Sequence, residues 1–138
     1  MLENSKILKH NLGMALKALQ KNDSVDVVAP GFGCSQDDLD KAREYLVRKG
    51  FRPRIPDNIF GDCPLHSNTD EVRAAQLVDA LMARDSKAVW FLRGGYGSNR
   101  LLPFLKKIKK HPKPKMTIGI SDVTSLHSYF IQKWGWTA

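Results

Sequence analysis

Short β-prone runs alternate with amphipathic stretches along this chain, and that alternation is its strongest constraint on fold. Residues 25–29 and 88–92 are near-continuous apolar runs, as strands covered on both faces require. Residues 116–120 form a third run. Residues 51–55 form a fourth, in which Pro53 fits only an edge position. Between the runs, apolar residues recur at helical spacing: Leu39, Ala42, Leu46 and Val47 over 37–49, then Val72, Ala75, Leu77 or Val78, and Leu81 over about 70–84. Further helices are expected over 5–21, 99–110 and 122–133. Gly50 suits a helix C-cap and Thr69 an N-cap. The order α-β-α-β-α-β-α-β-α predicts an α/β fold. We expect a doubly wound, mostly parallel sheet of about four strands, with helices on both faces in a flavodoxin-like or Rossmann-like three-layer arrangement.

The chain has 138 residues, enough for one domain with a real core. No apolar run approaches the ~20 residues of a membrane span. The first twenty residues mix Lys6, Lys9 and Lys17 with leucines and lack the pattern of a signal peptide. Cys34 and Cys63 lie in loop-like sequence and are expected as free thiols in a reducing cytoplasm. No Cys/His spacing suggests a metal site. The net charge is +8, but much of it is local. Lys106, Lys107, Lys109, Lys110, Lys113 and Lys115 follow the helical Leu101-Leu102-Pro103-Phe104-Leu105 and surround His111-Pro112, where they read as a solvated helix end and loop. No nucleic-acid-binding motif accompanies them, so nucleic acid is not an expected partner.

Ligands of such sheets bind at the carboxyl ends of the strands, where the strand order switches. Those ends are 29–32, 93–97 and 119–122, which is also where glycine clusters. Ser121 stands at a strand-to-helix turn, two residues after Gly119. It suits either a nucleophile raised above the sheet or an ordinary helix N-cap. Gly94 and Gly95 suit either a tight turn or a backbone N–H donor that, with the N–H of Asp122, would form an oxyanion hole. Arg93 and Tyr96 flank that turn. Arg93 could bind a substrate carboxylate or pair with an acid such as Asp122. No histidine is placed to activate Ser121. His127 lies six positions later on the same predicted helix, about 9 Å of rise away. His10 and His111 lie in the wrong regions, and His66 sits in a loop.

Three phrases occur in a fixed order: Asn68-Thr69-Asp70-Glu71-Val72-Arg73; Arg93-Gly94-Gly95-Tyr96-Gly97 with Leu101-Leu102-Pro103; and Gly119-Ile120-Ser121-Asp122-Val123-Thr124-Ser125-Leu126-His127. With Val27-Val28-Ala29-Pro30 before them, they resemble the N-terminal half of the LD-carboxypeptidases, serine peptidases that trim muropeptides. The resemblance runs from about Asp23 to the C-terminus. It implies a nucleophile-bearing domain over 23–138, preceded by a helical extension over 1–22. It places the nucleophile on Ser121 and the oxyanion hole on the N–H groups of Asp122 and Gly95, with Gly94 as the alternative. Arg93 and Tyr96 become substrate-binding candidates. The implied substrate is a murein tetrapeptide, cut between the L-centre of meso-diaminopimelate and the terminal D-alanine, in the cytoplasm and without metal or cofactor. In that family a glutamate and a histidine from a C-terminal domain complete the triad. No residue here inherits those roles, so the chain by itself is expected to be nearly inactive. Full-length relatives are often homodimers. Trp134 and Trp136 are candidates for an apolar face that packs on the C-terminal domain, or for the end of the core. Two other readings remain: hydrolysis of peptidyl-nucleotide antibiotics of the microcin type, and a non-catalytic module binding muropeptides or nucleotides.

Overall fold

The structure is a computed structural model that describes residues 16–109 and 113–137. Four strands form one parallel sheet: β1 (Ser24–Val28), β2 (Arg52–Arg54), β3 (Ala88–Phe91) and β4 (Met116–Ile118). Their order is β2-β1-β3-β4. Register pairs Val25 with Ala88 and Val28 with Phe91, and Ala88 with Met116. The period of two sorts the side chains. Val25, Val27, Ala88, Trp90 and Met116 face one side. Val28, Val89 and Phe91 face the other. Helix α1 (Gln36–Arg48) covers the first side through Leu46. Helices α2 (Asp70–Met82), α3 (Leu102–Leu105) and α4 (Thr124–Tyr129) cover the second. The expected doubly wound sheet is therefore present.

The caps follow the sequence. The Ser35 hydroxyl accepts from the Asp38 N–H at 3.1 Å, starting α1. The Thr69 hydroxyl accepts from the Val72 N–H at 3.3 Å, starting α2. Gly50 closes α1 with φ +85°, its N–H donating to the Val47 carbonyl at 2.9 Å. Pro53 lies in β2, an edge strand, as its missing N–H requires.

Several expectations need correction. The helix expected over 5–21 falls mostly outside the described residues, and its described end, 16–21, is not helical. The helix expected over 99–110 is shorter: a 3₁₀ turn (Ser98–Leu101) leads into the single turn of α3, with Pro103 in its opening turn. Lys110 and His111 lie outside the described residues. Val47 and Ala75 are exposed rather than buried. The last helix changes pitch. A 3₁₀ turn (Ser121–Val123) precedes α4, and a π-helical turn (Phe130–Trp134) follows it. Gly135, at φ +65°, then folds the chain back so that the Trp136 N–H reaches the Phe130 carbonyl at 3.1 Å. Trp134 and Trp136 are thereby buried against Phe130. They end the core. At this end of the chain the exposed large apolar residues are instead Ile118, at the end of β4, Ile120, just after it, and Ile131.

Lys115 is the other surprise. It is not a solvated lysine of the basic cluster. Its ammonium donates to the Ala80 and Ala83 carbonyls at 2.6 Å and to the Ser86 hydroxyl at 2.8 Å. It thus ties the strand β4 to the last turn of α2, where free carbonyls attract a cation. Burial pushes its pKa down to about 8.

Candidate active site

The loops after β1, β3 and β4 meet where the strand order turns between β1 and β3, the place where open α/β sheets take ligands. Ser121 stands at the end of the third loop. Its φ is +62°, a left-handed conformation that a serine holds only where its surroundings enforce it. Ile120 before it is fully extended, with φ −137° and ψ 166°, and a helical turn begins immediately after. This sharp turn raises a side chain above the sheet. Gly119 gives it room, since a Cβ there would lie 2.5 Å from Val123 Cγ2 and 2.9 Å from Phe91 Cδ2. The N-cap alternative for Ser121 fails: Ile120 holds the cap position and no side-chain cap bond forms. Ser121 is solvent-exposed.

The glycine turn after β3 lies directly against it. A Cβ on Gly94 would fall 2.9 Å from Ser121 Cβ, 3.0 Å from the Ile120 carbonyl oxygen and 3.4 Å from the Asp122 nitrogen. Only a glycine lets the two turns approach so closely. The Gly94 carbonyl accepts from the Phe32 N–H at 3.0 Å, joining the loop after β1. Gly95 has φ +93° and is exposed. Among the described residues, the N–H groups of Gly95 and Asp122 donate to no backbone acceptor outside the helices and strands.

Arg93 does not pair with Asp122. Its Nη1 donates to the Gly33 carbonyl at 3.0 Å, and its side chain is exposed. The Asp122 carboxylate instead accepts from the Ser98 N–H at 2.8 Å. The buried Ser98 hydroxyl donates to the Asp122 carbonyl at 2.7 Å and lies 2.9 Å from the Ser125 hydroxyl. The residue after the serine thus holds the far end of the glycine turn. Tyr96 is half-exposed, its ring edge-on to His66 at 6.0 Å.

Arg73 is the residue that sequence patterning missed. It sits on α2 with a side chain of 0% exposure. Its guanidinium donates to the Asn68 carbonyl at 3.1 Å, to the Gly97 carbonyl at 3.1 Å and to the Pro30 carbonyl. It also pairs with Asp70. One side chain therefore binds the loops after β1 and β3 and the loop before α2. Ser67 adds a second link, its hydroxyl donating to the Ala29 carbonyl at 2.5 Å. The signal available in sequence was the arginine closing the Asn68–Arg73 phrase, at a position where helical periodicity calls for an apolar residue.

The two described histidines pack against aromatic rings. His66 packs against Phe32 (6.4 Å) and Tyr96, and burial with the nearby Arg73 charge holds its imidazole below the usual range. His127 lies against Phe91 at 5.6 Å with Nε2 buried and unbonded, and burial lowers it too. Neither is hydrogen-bonded to Ser121. His10 lies, like His111, outside the described residues. Cys34 and Cys63 are free thiols. No described helix is long and apolar enough to cross a membrane. Among the described residues, no group of three His, Cys, Asp or Glu side chains is placed to hold a metal ion.

Residues 25–138 match the profile of the LD-carboxypeptidase N-terminal domain. The chain belongs to the LD-carboxypeptidase family. A Rickettsia conorii relative, provisionally named a carboxypeptidase, is 42% identical over 118 residues, covering 84% of this chain and 36% of that protein. A murein tetrapeptide carboxypeptidase from Pseudomonas aeruginosa is 32% identical over 107 residues, covering 77% of this chain and 35% of its own length. Among solved structures, a muramoyltetrapeptide carboxypeptidase from Oxalobacter formigenes is similar at a TM-score of 0.62 and 31% identity, over 73% of this chain and 34% of that one. The microcin C7 self-immunity protein in its wild-type apo state is similar at a TM-score of 0.75 and 27% identity, over 88% of this chain and 37% of that one. The LD-carboxypeptidase relatives are thus matched over little more than a third of their length.

Proposed function

We propose that this chain is the nucleophile-bearing part of a serine LD-carboxypeptidase that removes the terminal D-alanine from murein tetrapeptides in the cytoplasm. The observation that carries the reading is the left-handed Ser121, exposed and free of capping, pressed against Gly94. Ser121 Oγ attacks the carbonyl carbon of the amide between meso-diaminopimelate and D-alanine. The N–H groups of Asp122 and Gly95 receive the developing oxyanion, each worth about 10²–10³ in rate. The tetrahedral intermediate collapses by breaking the C–N bond, and D-alanine leaves after gaining a proton. Water then attacks the acyl-enzyme ester and releases the tripeptide and the Ser121 hydroxyl. The proton passes through a histidine base oriented by a glutamate, both assigned to polypeptide beyond this chain in the whole protein. In this reading residues 23–138 are the nucleophile-bearing domain and 1–22 an N-terminal extension. Arg93, with a guanidinium edge toward solvent, and Tyr96 line the approach and receive the peptide.

The test is release of D-alanine from a purified murein tetrapeptide by the full-length protein and its Ser121→Ala variant. Loss of at least about 10⁴-fold in kcat with an unchanged fold is expected. Equal activity of the two proteins overturns the assignment. A second reading, hydrolysis of peptidyl-nucleotides, is favoured by the likeness to the microcin C7 self-immunity protein. Cleavage of such a conjugate but not of the tetrapeptide would put that reading first.

A further inference from the structure

A concavity opens beside the glycine turn. It has a volume of about 450 Å³ and lies between the 63–66 loop, the first turn of α2 and Arg100. His66 forms its junction with the proposed site. The imidazole packs between the rings of Phe32 and Tyr96. It also lies so close to Gly97 that a Cβ on that residue would come within 2.9 Å of His66 Nε2.

The charges lining this cleft are not equivalent. Asp70 is fully engaged, because both Arg73 and Arg100 bind its carboxylate. Arg100 is fixed by that contact through Nε at 2.9 Å and Nη2 at 2.7 Å. Its side chain remains 52% exposed, and Nη1 has no protein partner among the described residues. Glu71 is exposed, takes part in no ion pair among the described residues, and lies within electrostatic reach of Arg100. The backbone donors of the helix start are partly spent, with the Val72 N–H on the Thr69 hydroxyl and the Thr69 N–H on Asn68 Oδ1. Recognition therefore falls to the side chains: one held cation, one uncommitted carboxylate, and an apolar rim of Pro64 and Leu65. That set complements a group that carries an ammonium and a carboxylate together on an aliphatic stem.

We infer that this cleft is a subsite for an amino-acid head group of the substrate, with Arg100 taking its carboxylate and Glu71 its ammonium. The inference rests on the tetrapeptidase reading. In a murein tetrapeptide the fitting group is the distal D-centre of meso-diaminopimelate, which bears both charges and is joined by methylenes to the centre whose amide is cut. The cleft then selects the acyl side of the scissile bond and does not touch the reacting atoms.

The experiment compares, in the full-length protein, tetrapeptides whose third residue is meso-diaminopimelate or the same residue amidated at its distal carboxylate. The free acid is expected to be preferred about tenfold in kcat/KM, mainly through KM. Arg100→Gln should erase that preference. Glu71→Gln should raise KM for both peptides severalfold while kcat stays within about twofold. Because Arg100 also holds Asp70, the Glu71 variant keeps the test decisive should Arg100→Gln fail to fold. D-Alanine release without discrimination between the peptides, or with Glu71→Gln matching the wild type, overturns the subsite and leaves the peptidase reading standing. No release from any tetrapeptide overturns both.

Discussion

Replacing Arg73 with methionine should remove a large share of this domain's stability, though Arg73 stands on no strand and is remote in sequence from Ser121. Methionine keeps the stem and the helix propensity, so the change isolates the guanidinium. Three backbone carbonyls, at Pro30, Asn68 and Gly97, lose their donor, and Asp70 loses one of two cationic partners. A buried acceptor left unpaired costs about 1–3 kcal/mol, and breaking a buried charged cluster from one side costs about 3–5 kcal/mol. Asp70 keeps Arg100, so the lower figure applies: about 3–4 kcal/mol is expected. Domains of this size hold about 5–15 kcal/mol in total. Urea unfolding followed by tryptophan fluorescence reads the effect, with Trp90 beside β1 and Trp134 and Trp136 in the opposite layer as reporters. At a slope of about 2 kcal/mol/M the midpoint should fall by about 1.5–2 M. Arg73→Lys should recover only part of the loss, because one ammonium cannot reach carbonyls that a planar fork spans. A midpoint shift under about 0.5 M for Arg73→Met would show that the loops are held by something else.

Three further outcomes follow from the same geometry. Gly94→Ala keeps an ordinary backbone but pushes a methyl to 2.9 Å from Ser121 Cβ, so D-alanine release by the full-length protein should fall about 10²-fold or more while folding is largely retained; activity within threefold of wild type would refute the close-approach argument. His66 and His127 both have lowered pKa values in the fold, so the unfolded chain binds protons first and stability should decline as pH falls below about 6.5. Asp70, held low by Arg100, adds a further loss only below about 4; a melting temperature that is flat or rising from pH 7 to 5 would contradict this. Ile118 ends the outer strand and Ile120 follows it, both exposed, so the chain alone should self-associate in sedimentation, and Ile120→Lys should reduce that; a monomeric wild type at high micromolar concentration would dispose of the idea.

The sheet was legible because its signal is local: apolar runs at 25–29 and 88–92, with helical spacing between. The meeting of the loops that carry the candidate site was legible for the same reason, since glycines cluster at strand ends whatever the details. Three things were hidden. Hydropathy places Arg73 and Lys115 on the surface, yet both are buried because unpaired carbonyls at loop and helix ends need donors from across the fold. The burial of Trp134 and Trp136 depends on a π turn and a left-handed glycine, neither of which has a periodic signature. Ser121 was ambiguous between cap and nucleophile because both sit before a helix; its backbone angle and the missing cap bond argue only against the cap.

The contact between Asp122 and Ser98 has one more consequence. A single carboxylate and its own carbonyl, one residue past the serine, hold the turn that follows the glycine loop. Serine and glycine turn are therefore spliced into one rigid part whose alignment is finished before any base arrives. Under the proposed function, a base-bearing portion supplied as a separate polypeptide would have only to dock, not to sculpt, and fragment complementation with this domain is the expected outcome.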